Sequence, residues 1–289
     1  MAKGRELKGR IKSVENTRKI TRTMEMVATS KMKRAVDRVV AARPYARALG
    51  DVIASLYNPE LAERFPLLRQ PAHEGRAALI LLTSNRGLAG AFNANLIKEA
   101  RALITRLDAA GTQVELHVVG KKGLGYFRYI GREVSVSRTD ITDRPTAADA
   151  SSLVESLMHR FVSGALDAVY VVGSRFNSVL STPPTATRVL PVTPPSASGK
   201  GGQKDYLLYP SAEAILTELL PSYVRNAVYR ALVETVAAEQ SARRTAMKNA
   251  TDNAGDMLNL LRRTYNRARQ AQITQEIAEI VGGASALQG

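Results

Sequence analysis

The chain has no cysteine and no tryptophan, and only 5% of its 289 residues are aromatic. Zero cysteine excludes disulfides, thiolate catalysis and thiolate-ligated metal together, and it fits a reducing compartment. The three histidines, His73, His117 and His159, are scattered and show no i, i+4 ligand spacing, so no metal site is expected. No apolar run approaches the ~20 residues that a membrane span needs. The opening Met1-Ala2-Lys3-Gly4-Arg5 lacks the apolar stretch of a signal peptide. These absences predict a soluble chain that works where it is made.

Positive charge is in excess: 41 basic against 26 acidic side chains, a net +15. Residues 1–57 carry 14 basic and 5 acidic groups, a net +9, and residues 240–289 carry 7 and 4, a net +3. The 182 residues between them hold only the remaining +3. Cationic ends around a nearly neutral middle predict an acidic partner: nucleic acid, anionic lipid or an acidic protein surface.

The first end reads as helix from about Arg5 to Tyr57, a length of about 80 Å at ~1.5 Å per residue. Steps of four and three from Leu7 give Leu7, Ile11, Val14, Arg18, Thr21, Glu25, Ala28, Met32, Ala35, Val39, Ala42, Ala46, Leu49, Ile53 and Leu56, of which twelve of fifteen are apolar. The misses cluster at Arg18, Thr21 and Glu25, where the stripe is expected to move to Ile20, Met24 and Val27. That pattern predicts a coiled coil with a local change of register. Pro44 predicts a kink, since the apolar pattern continues beyond it, and the helix should end near Asn58-Pro59.

The other end reads as helix from Ala212 to Val281, with a bend or break allowed at Pro221 and a stop at Gly282-Gly283. Its stripe holds Val224, Val228, Ala231, Leu232, Thr235 and Ala238, then Ala242, Ala246, Ala250 and Ala254, then Met257, Leu261, Tyr265 and Ala268. Alanines four apart let two backbones approach closely, but they bury little, since a Leu or Val contributes ~1.5–3 kcal/mol and an Ala far less. A thin pair of this kind is expected to be sheathed by another protein over much of its length. The polar face (Asn249, Thr251, Asp252, Asn253, Asn266, Arg267, Arg269, Gln270, Gln272, Thr274 and Gln275) can hydrogen-bond a protein wall with few formal charges.

Between the ends, strands at 78–82, 114–119, 134–136 and 168–172 alternate with helices at 93–107, 121–129 and 147–162. This predicts a small open α/β sheet. Segments 187–192 and 206–209 read as late antiparallel strands, with a flexible loop over 194–202. The loop Ser84–Asn93 contains Gly87 and Gly90 between strand and helix, where phosphate loops occur. It matches neither G-x-x-x-x-G-K-[ST] nor G-x-G-x-x-G, so a tight turn docking on the terminal helices is the favoured reading. No Ser/His/Asp set and no carboxylate pair carries catalysis.

Three strings resemble one family. Ile11–Thr21 with Met24–Met32 is similar to the N-terminal signature of the gamma subunit of F-type ATP synthase, and Glu239–Ala254 and Tyr265–Ile277 are similar to its C-terminal signatures. The resemblance implies an α/β (Rossmann-like) foot over residues 76–210. The foot is inserted between helices 1–58 and 212–284, which form an antiparallel left-handed coiled coil. It implies a rotor turning in a ring of alternating alpha and beta subunits that hold the ATP sites, joined through its foot to the epsilon subunit and the c-ring. No cofactor and no catalytic residue of its own are implied, and the setting is the cytoplasmic face of a bacterial membrane, bound peripherally. Ring contacts are implied for Met24, Lys31, Lys33, Arg243, Arg267, Arg269, Gln270, Thr274 and Glu276, with Lys31 and Lys33 facing acidic lever loops. Tyr206 and Tyr209 are implied contacts for epsilon or the c-ring. The family loop usually reads Ser-Asp-Arg-Gly-Leu-Cys-Gly; here Asn85 replaces the acid and Ala89 the cysteine, so a salt bridge made by that acid is not expected.

Two other classes account for part of the pattern. A basic coiled-coil nucleic-acid binder explains the charge, but it would use aromatics against bases, and the terminal helices offer only Tyr45, Tyr57, Tyr223, Tyr229 and Tyr265. A nucleotide-binding enzyme built on the middle domain lacks its phosphate motif.

Overall fold

The computed structural model describes residues 2–57, 64–71, 73–193 and 211–286. The chain runs α1 (Ala2–Leu56), a single 3-10 turn (Pro66–Leu68), β1 (Arg76–Leu82), α2 (Phe92–Ala109), β2 (Gln113–Val119), α3 (Lys121–Tyr129), β3 (Val136–Arg138), α4 (Ala147–Val162), β4 (Ala168–Ser174), β5 (Pro184–Leu190) and α5 (Ala212–Ala286). Residues Thr29–Ala242 form one compact unit, and Met1–Ala28 with Arg243–Gly289 form a second. Each terminal helix contributes to both.

The larger unit is organised by a five-stranded sheet of order β3-β2-β1-β4-β5. β1, β2, β3 and β4 are parallel, and β5 runs antiparallel to β4 at the edge. β1 is central because its residues 77–82 are all buried, as a strand covered on both faces must be. On one face Ala78, Ile80, Leu82, Val169 and Val171 meet Leu153, Leu157 and Phe161 of α4. Leu49 and Ile53 of α1 and Val224, Val228 and Leu232 of α5 complete that core. On the other face Leu79, Leu81, Leu116 and Val172 meet Leu96, Leu103 and Leu107 of α2, Phe127 of α3 and Ala238 of α5. A third cluster joins Ala35 and Val39 of α1 to Val233 and Ala237 of α5 and to Phe176.

Local chemistry sets the element ends. α4 opens with a full capping box, in which Thr146 and Asp149 satisfy each other's backbone N–H. Gly120 has φ +95°, and a Cβ there would lie 2.1 Å from the Thr83 carbonyl oxygen, so only glycine fits the turn from β2 into α3. A Cβ on Gly173 would meet Thr235 Oγ1 at 2.7 Å. The missing side chain lets α5 close on the sheet, where Ser174 N donates to Thr235 Oγ1 (3.0 Å).

Several expectations shift. The third strand lies two residues later than 134–136, because Ser135 N already bonds Leu116 O and the ladder begins at His117–Val136. The late strand over 187–192 is found at Pro184–Leu190. The expected strand 206–209 and the loop 194–202 lie outside the described residues, as does the expected helix end at Asn58-Pro59. α1 continues through Pro44 and α5 through Pro221. A helix-interior proline costs about 3 kcal/mol, and buried neighbours offset it: Ala46 and Leu49 in one helix, Leu220 and Val224 in the other. Gly282-Gly283 do not stop α5, which extends to Ala286. A glycine ends a helix when it turns left-handed and captures the last carbonyls; otherwise it only weakens it by about 1 kcal/mol.

Candidate partner-binding surfaces

Within the smaller unit the two helices run antiparallel. Arg262 Nη2 donates to Glu15 Oε1 at 2.5 Å, Gly255 lies against the Arg18 guanidinium, and Thr251 Oγ1 donates to Thr21 Oγ1 at 2.8 Å. The α5 seam is Met247, Thr251, Ala254, Leu258, Leu261, Tyr265 and Ala268, at steps of four and three. Leu7, Ile11, Val14, Glu15, Thr21, Met24, Glu25 and Ala28 of α1 are the half-buried and buried positions among its described residues up to Ala28.

The expected change of register occurs only in part: Arg18 is exposed and Met24 half-buried, as expected, but the other positions stay in place. Ile20 is 60% and Val27 51% exposed, while the polar Thr21 and Glu25 keep the seam. The hydroxyl pair explains it. Thr251 Oγ1 also lies 2.8 Å from Met247 O, and Thr21 Oγ1 donates to Arg18 O at 3.1 Å, so neither the buried Thr251 hydroxyl nor the half-buried Thr21 hydroxyl is left unpaired. Two assignments on α5 are corrected by the same geometry. Leu258, 2% exposed, takes the seam place expected for Met257, which is 53% exposed. Thr251 belongs to the seam and not to the polar face. Ile20, Met26, Val27, Met257 and Leu260 then point outward, and Ile273, Ile277, Ile280 and Val281 are exposed near the end of α5.

The sequence-implied ring contacts divide into three groups. Lys33, Arg267, Arg269, Gln270, Thr274 and Glu276 are exposed, and Met24 is half-buried. Thr274 Oγ1 donates to Gln270 O (3.0 Å), and Gln272 Nε2 donates to Glu276 Oε1 (2.9 Å), so the last two turn back on their own helix. Arg243 is only 9% exposed and is engaged within the chain, so it is not a free surface cation. Lys31 is committed as well: Nζ lies 2.7 Å from Asp143 Oδ2 in the larger unit, and the ammonium holds that carboxyl below the usual carboxylate range. Arg38 Nη1 donates to the Asp143 carbonyl (3.2 Å) beside it. Tyr206 and Tyr209 lie outside the described residues.

The loop after β1 closes on the domain itself, and its Ala89 joins the buried cluster that includes Ala238 of α5. Asn85 Nδ2 donates to the carbonyls of Thr139 (3.0 Å) and Ile141 (3.1 Å), and Oδ1 accepts from Lys121 N at the start of α3 (3.1 Å). Two of these three bonds need a donor, which an aspartate lacks at neutral pH. The interior of the turn is filled by Asn93, whose Oδ1 accepts from Ser84 N at 3.0 Å, so a backbone donor that could face a phosphate is used internally. Ser84 Oγ lies 2.6 Å from Arg86 O.

Sequence reasoning missed the head-to-helix clamps. Arg225 forms a bidentate pair with Glu155 (2.9 and 3.0 Å), Phe176 N donates to Glu234 Oε2 (3.1 Å), Arg43 Nη2 donates to Phe176 O (3.0 Å) and Ser241 Oγ to Val179 O (2.5 Å). Each joins residues 58 to 133 positions apart, which no local pattern encodes. Thr21 and Glu25, polar residues on the heptad series of α1, were the legible sign of the polar seam.

Comparison with known proteins bears on both units. A family model described as ATP synthase matches residues 3–287. An ATP synthase gamma chain of Gemmatimonas aurantiaca is 69% identical over 290 residues, covering 100% of both chains. One of Leptospira biflexa is 42% identical over 288 residues, covering 99% of this chain and 100% of the relative. Among solved structures, a chain of the Euglena gracilis mitochondrial ATP synthase, OSCP/F1/c-ring in rotational state 3, superposes with a TM-score of 0.67 at 19% identity, covering 99% of this chain and 95% of that one. A chain of the Tetrahymena thermophila mitochondrial ATP synthase central stalk/c-ring gives 0.60 at 23%, covering 80% and 99%. The comparisons lend no support to the nucleic-acid reading. With a family model that spans nearly its whole length and curated gamma chains aligned end to end, this chain belongs to the gamma-chain family of ATP synthase.

Proposed function

We propose that the chain is the central-stalk rotor of an F-type ATP synthase. It couples rotation of a c-ring to ATP synthesis and hydrolysis in a ring of alpha and beta subunits, and it has no catalytic site of its own. The observation that carries this reading is the smaller unit's two helices, with nine large apolar side chains exposed and a seam made polar at its centre by Thr21, Glu25 and Thr251. A pair that leaves so much apolar surface in water calls for an external cover, and a ring of subunits is such a cover. None of the described helices is long and apolar enough to cross a membrane, so the attachment is peripheral, through epsilon and the c-ring, on the cytoplasmic face of a bacterial membrane.

Coupling then follows from asymmetry. Two unlike helices cannot present one face in three directions, so three identical catalytic sites meet different surfaces and prefer different conformations. Turning the pair by a third of a revolution permutes those preferences, a linkage set by differential contact energy. Exposed cations such as Lys33, Arg267 and Arg269 suit this work, because each surface pair contributes only ~0–1 kcal/mol and does not lock the rotor. Gln270, Thr274, Glu276 and Met24 add weak polar and apolar contacts.

The test is reconstitution with the alpha, beta, epsilon and c subunits. Lys33→Glu with Arg267→Glu and Arg269→Glu should leave ATP hydrolysis by the ring largely intact while proton pumping falls. Unchanged pumping and synthesis would reject the surface, and nucleotide hydrolysis by the chain alone would reject the non-catalytic role.

A further inference from the structure

The larger unit contains a basic cavity that the rotor reading does not use. It measures about 390 Å³, at the small end of the ~300–1,000 Å³ range of small-molecule sites. Arg43 and Arg47 of α1, Arg230 of α5 and Arg175 of the turn after β4 line it, with Asn177 and the single acid Glu234. One carboxylate against four guanidiniums leaves a local charge of +3.

Glu234 is already occupied. Its Oε2 accepts from Phe176 N (3.1 Å), and Oε1 meets Arg230 Nη2 only loosely, at 3.4 Å. Arg43 spends one Nη on the Phe176 carbonyl (3.0 Å) and keeps its other donors. The guanidinium groups of Arg47 and Arg175 have no hydrogen-bond or ion-pair partner among the described residues, although Arg175 N donates to Pro183 O. Like charges gathered on one concave wall repel, and they stay together at least cost when an anion lies between them. Guanidinium forks match phosphate oxygens in pairs, as a lone ammonium does not.

We infer that this cavity, formed by α1, α5 and the turn after β4, binds a compact ligand carrying two or three phosphate charges. Such a ligand would bridge three elements that the chain also joins through Arg43, Glu234 and Phe176, and so would further brace the sheet domain against both helices. Its predicted site is independent of the rotor assignment, because it rests on residues 43–47, 175–177 and 230–234 alone.

The full-length chain is titrated with pyrophosphate by isothermal calorimetry at fixed ionic strength, with hexaglutamate as a second probe. Wild-type protein should bind pyrophosphate, and its melting temperature should rise on saturation. Arg47→Gln with Arg175→Gln breaks no bond within the chain, so the protein should fold, as circular dichroism would verify, and its affinity should fall at least about tenfold. A charge-matched control, Lys98→Gln with Arg128→Gln on the opposite side of the sheet domain, should change affinity less than about twofold. No binding by the wild type overturns the site, and so does equal weakening by both pairs, which would mean diffuse charge. Tighter binding of hexaglutamate than of pyrophosphate overturns the phosphate assignment in favour of an acidic peptide.

Discussion

The same two helices are held in two different ways. In the larger unit, α1 and α5 rest on a sheet domain that supplies them with a core: Ile53, Val224 and Val228 are fully buried and Leu232 is 3% exposed. In the smaller unit the helices have only each other. Met247 and Leu258 are its only large apolar side chains below 9% exposure among the described residues, and two threonines meet across its centre. Helix propensity is not the difference, since both segments are continuous helix. The difference is burial, which supplies most helical stability in proteins. A segment that must contact changing partners can leave its apolar residues outside; one that must transmit torque to a foot cannot.

Hydrogen exchange separates the two most sharply. In the free chain, amides of residues 247–275 should exchange at least about 100-fold faster than those of 220–240, a gap of ~2.8 kcal/mol in local opening free energy. Assembly into the complete enzyme should abolish most of the gap. Equal protection in the free chain would show that the smaller unit needs no cover, and the comparison would fail.

A smaller effect probes the larger unit from its loop. Asn85→Asp, which restores the residue usual in the family, should destabilise this chain by about 1–2 kcal/mol in urea denaturation. It replaces two donated bonds, one exposed to Thr139 O and one part-buried to Ile141 O, with carboxylate facing carbonyl, and each lost bond costs ~0.5–1.5 kcal/mol. The new charge at the start of α3 returns ~0.3–1 kcal/mol, too little to cancel the loss. A neutral or stabilising result would mean that the loop rearranges.

The sheet domain was legible from sequence because its signals are local. Runs such as Ala78–Leu82 and Val169–Val172 read as buried parallel strands, and the capped stretch Ala147–Val162 as helix, so the alternation follows. The coil was legible in outline and misread in detail. Counting apolar residues moved the seam toward Ile20 and Val27, because hydrophobicity alone cannot see that Thr21 has a hydroxyl partner 230 residues away. Lys31 was read as a cation for a partner because Asp143 is 112 positions distant. Surface assignments fail in this way whenever an intramolecular counter-charge lies far along the chain.

The threonine pair tests the polar seam directly. Thr251→Val removes the bond to Thr21 and should cost about 1 kcal/mol. Thr21→Val with Thr251→Val replaces both partners by apolar groups of similar shape and should be nearly neutral, or stabilising. The readout is a double-mutant cycle on the melting of helicity, with an expected coupling of ~0.5–1.5 kcal/mol. Additive losses would mean the two hydroxyls act separately, and the seam would then be set by other residues.

The least effect is expected where a surface ion pair joins α1 to the sheet domain. Lys31 Nζ bonds Asp143, and both side chains are about one-third exposed (33% and 35%), so solvent screening keeps the pair near ~0–1 kcal/mol. Hydrogen bonding to that ammonium lowers the Asp143 carboxyl below its ordinary range, against the opposing pull of partial burial. A carboxylate lowered on folding binds its proton more readily in the unfolded chain. Its stabilisation is therefore complete above the ordinary carboxylate value of about 4 and is lost as pH falls through the lower folded value. Lys31→Met should lower stability slightly at pH 7, and the loss should shrink as pH falls below about 4, measured by urea denaturation at pH 7 and at pH 2. If the variant instead loses as much at pH 2 as at pH 7, the lysine stabilises α1 through its aliphatic stem rather than its charge, and the clamp between helix and sheet is one of packing.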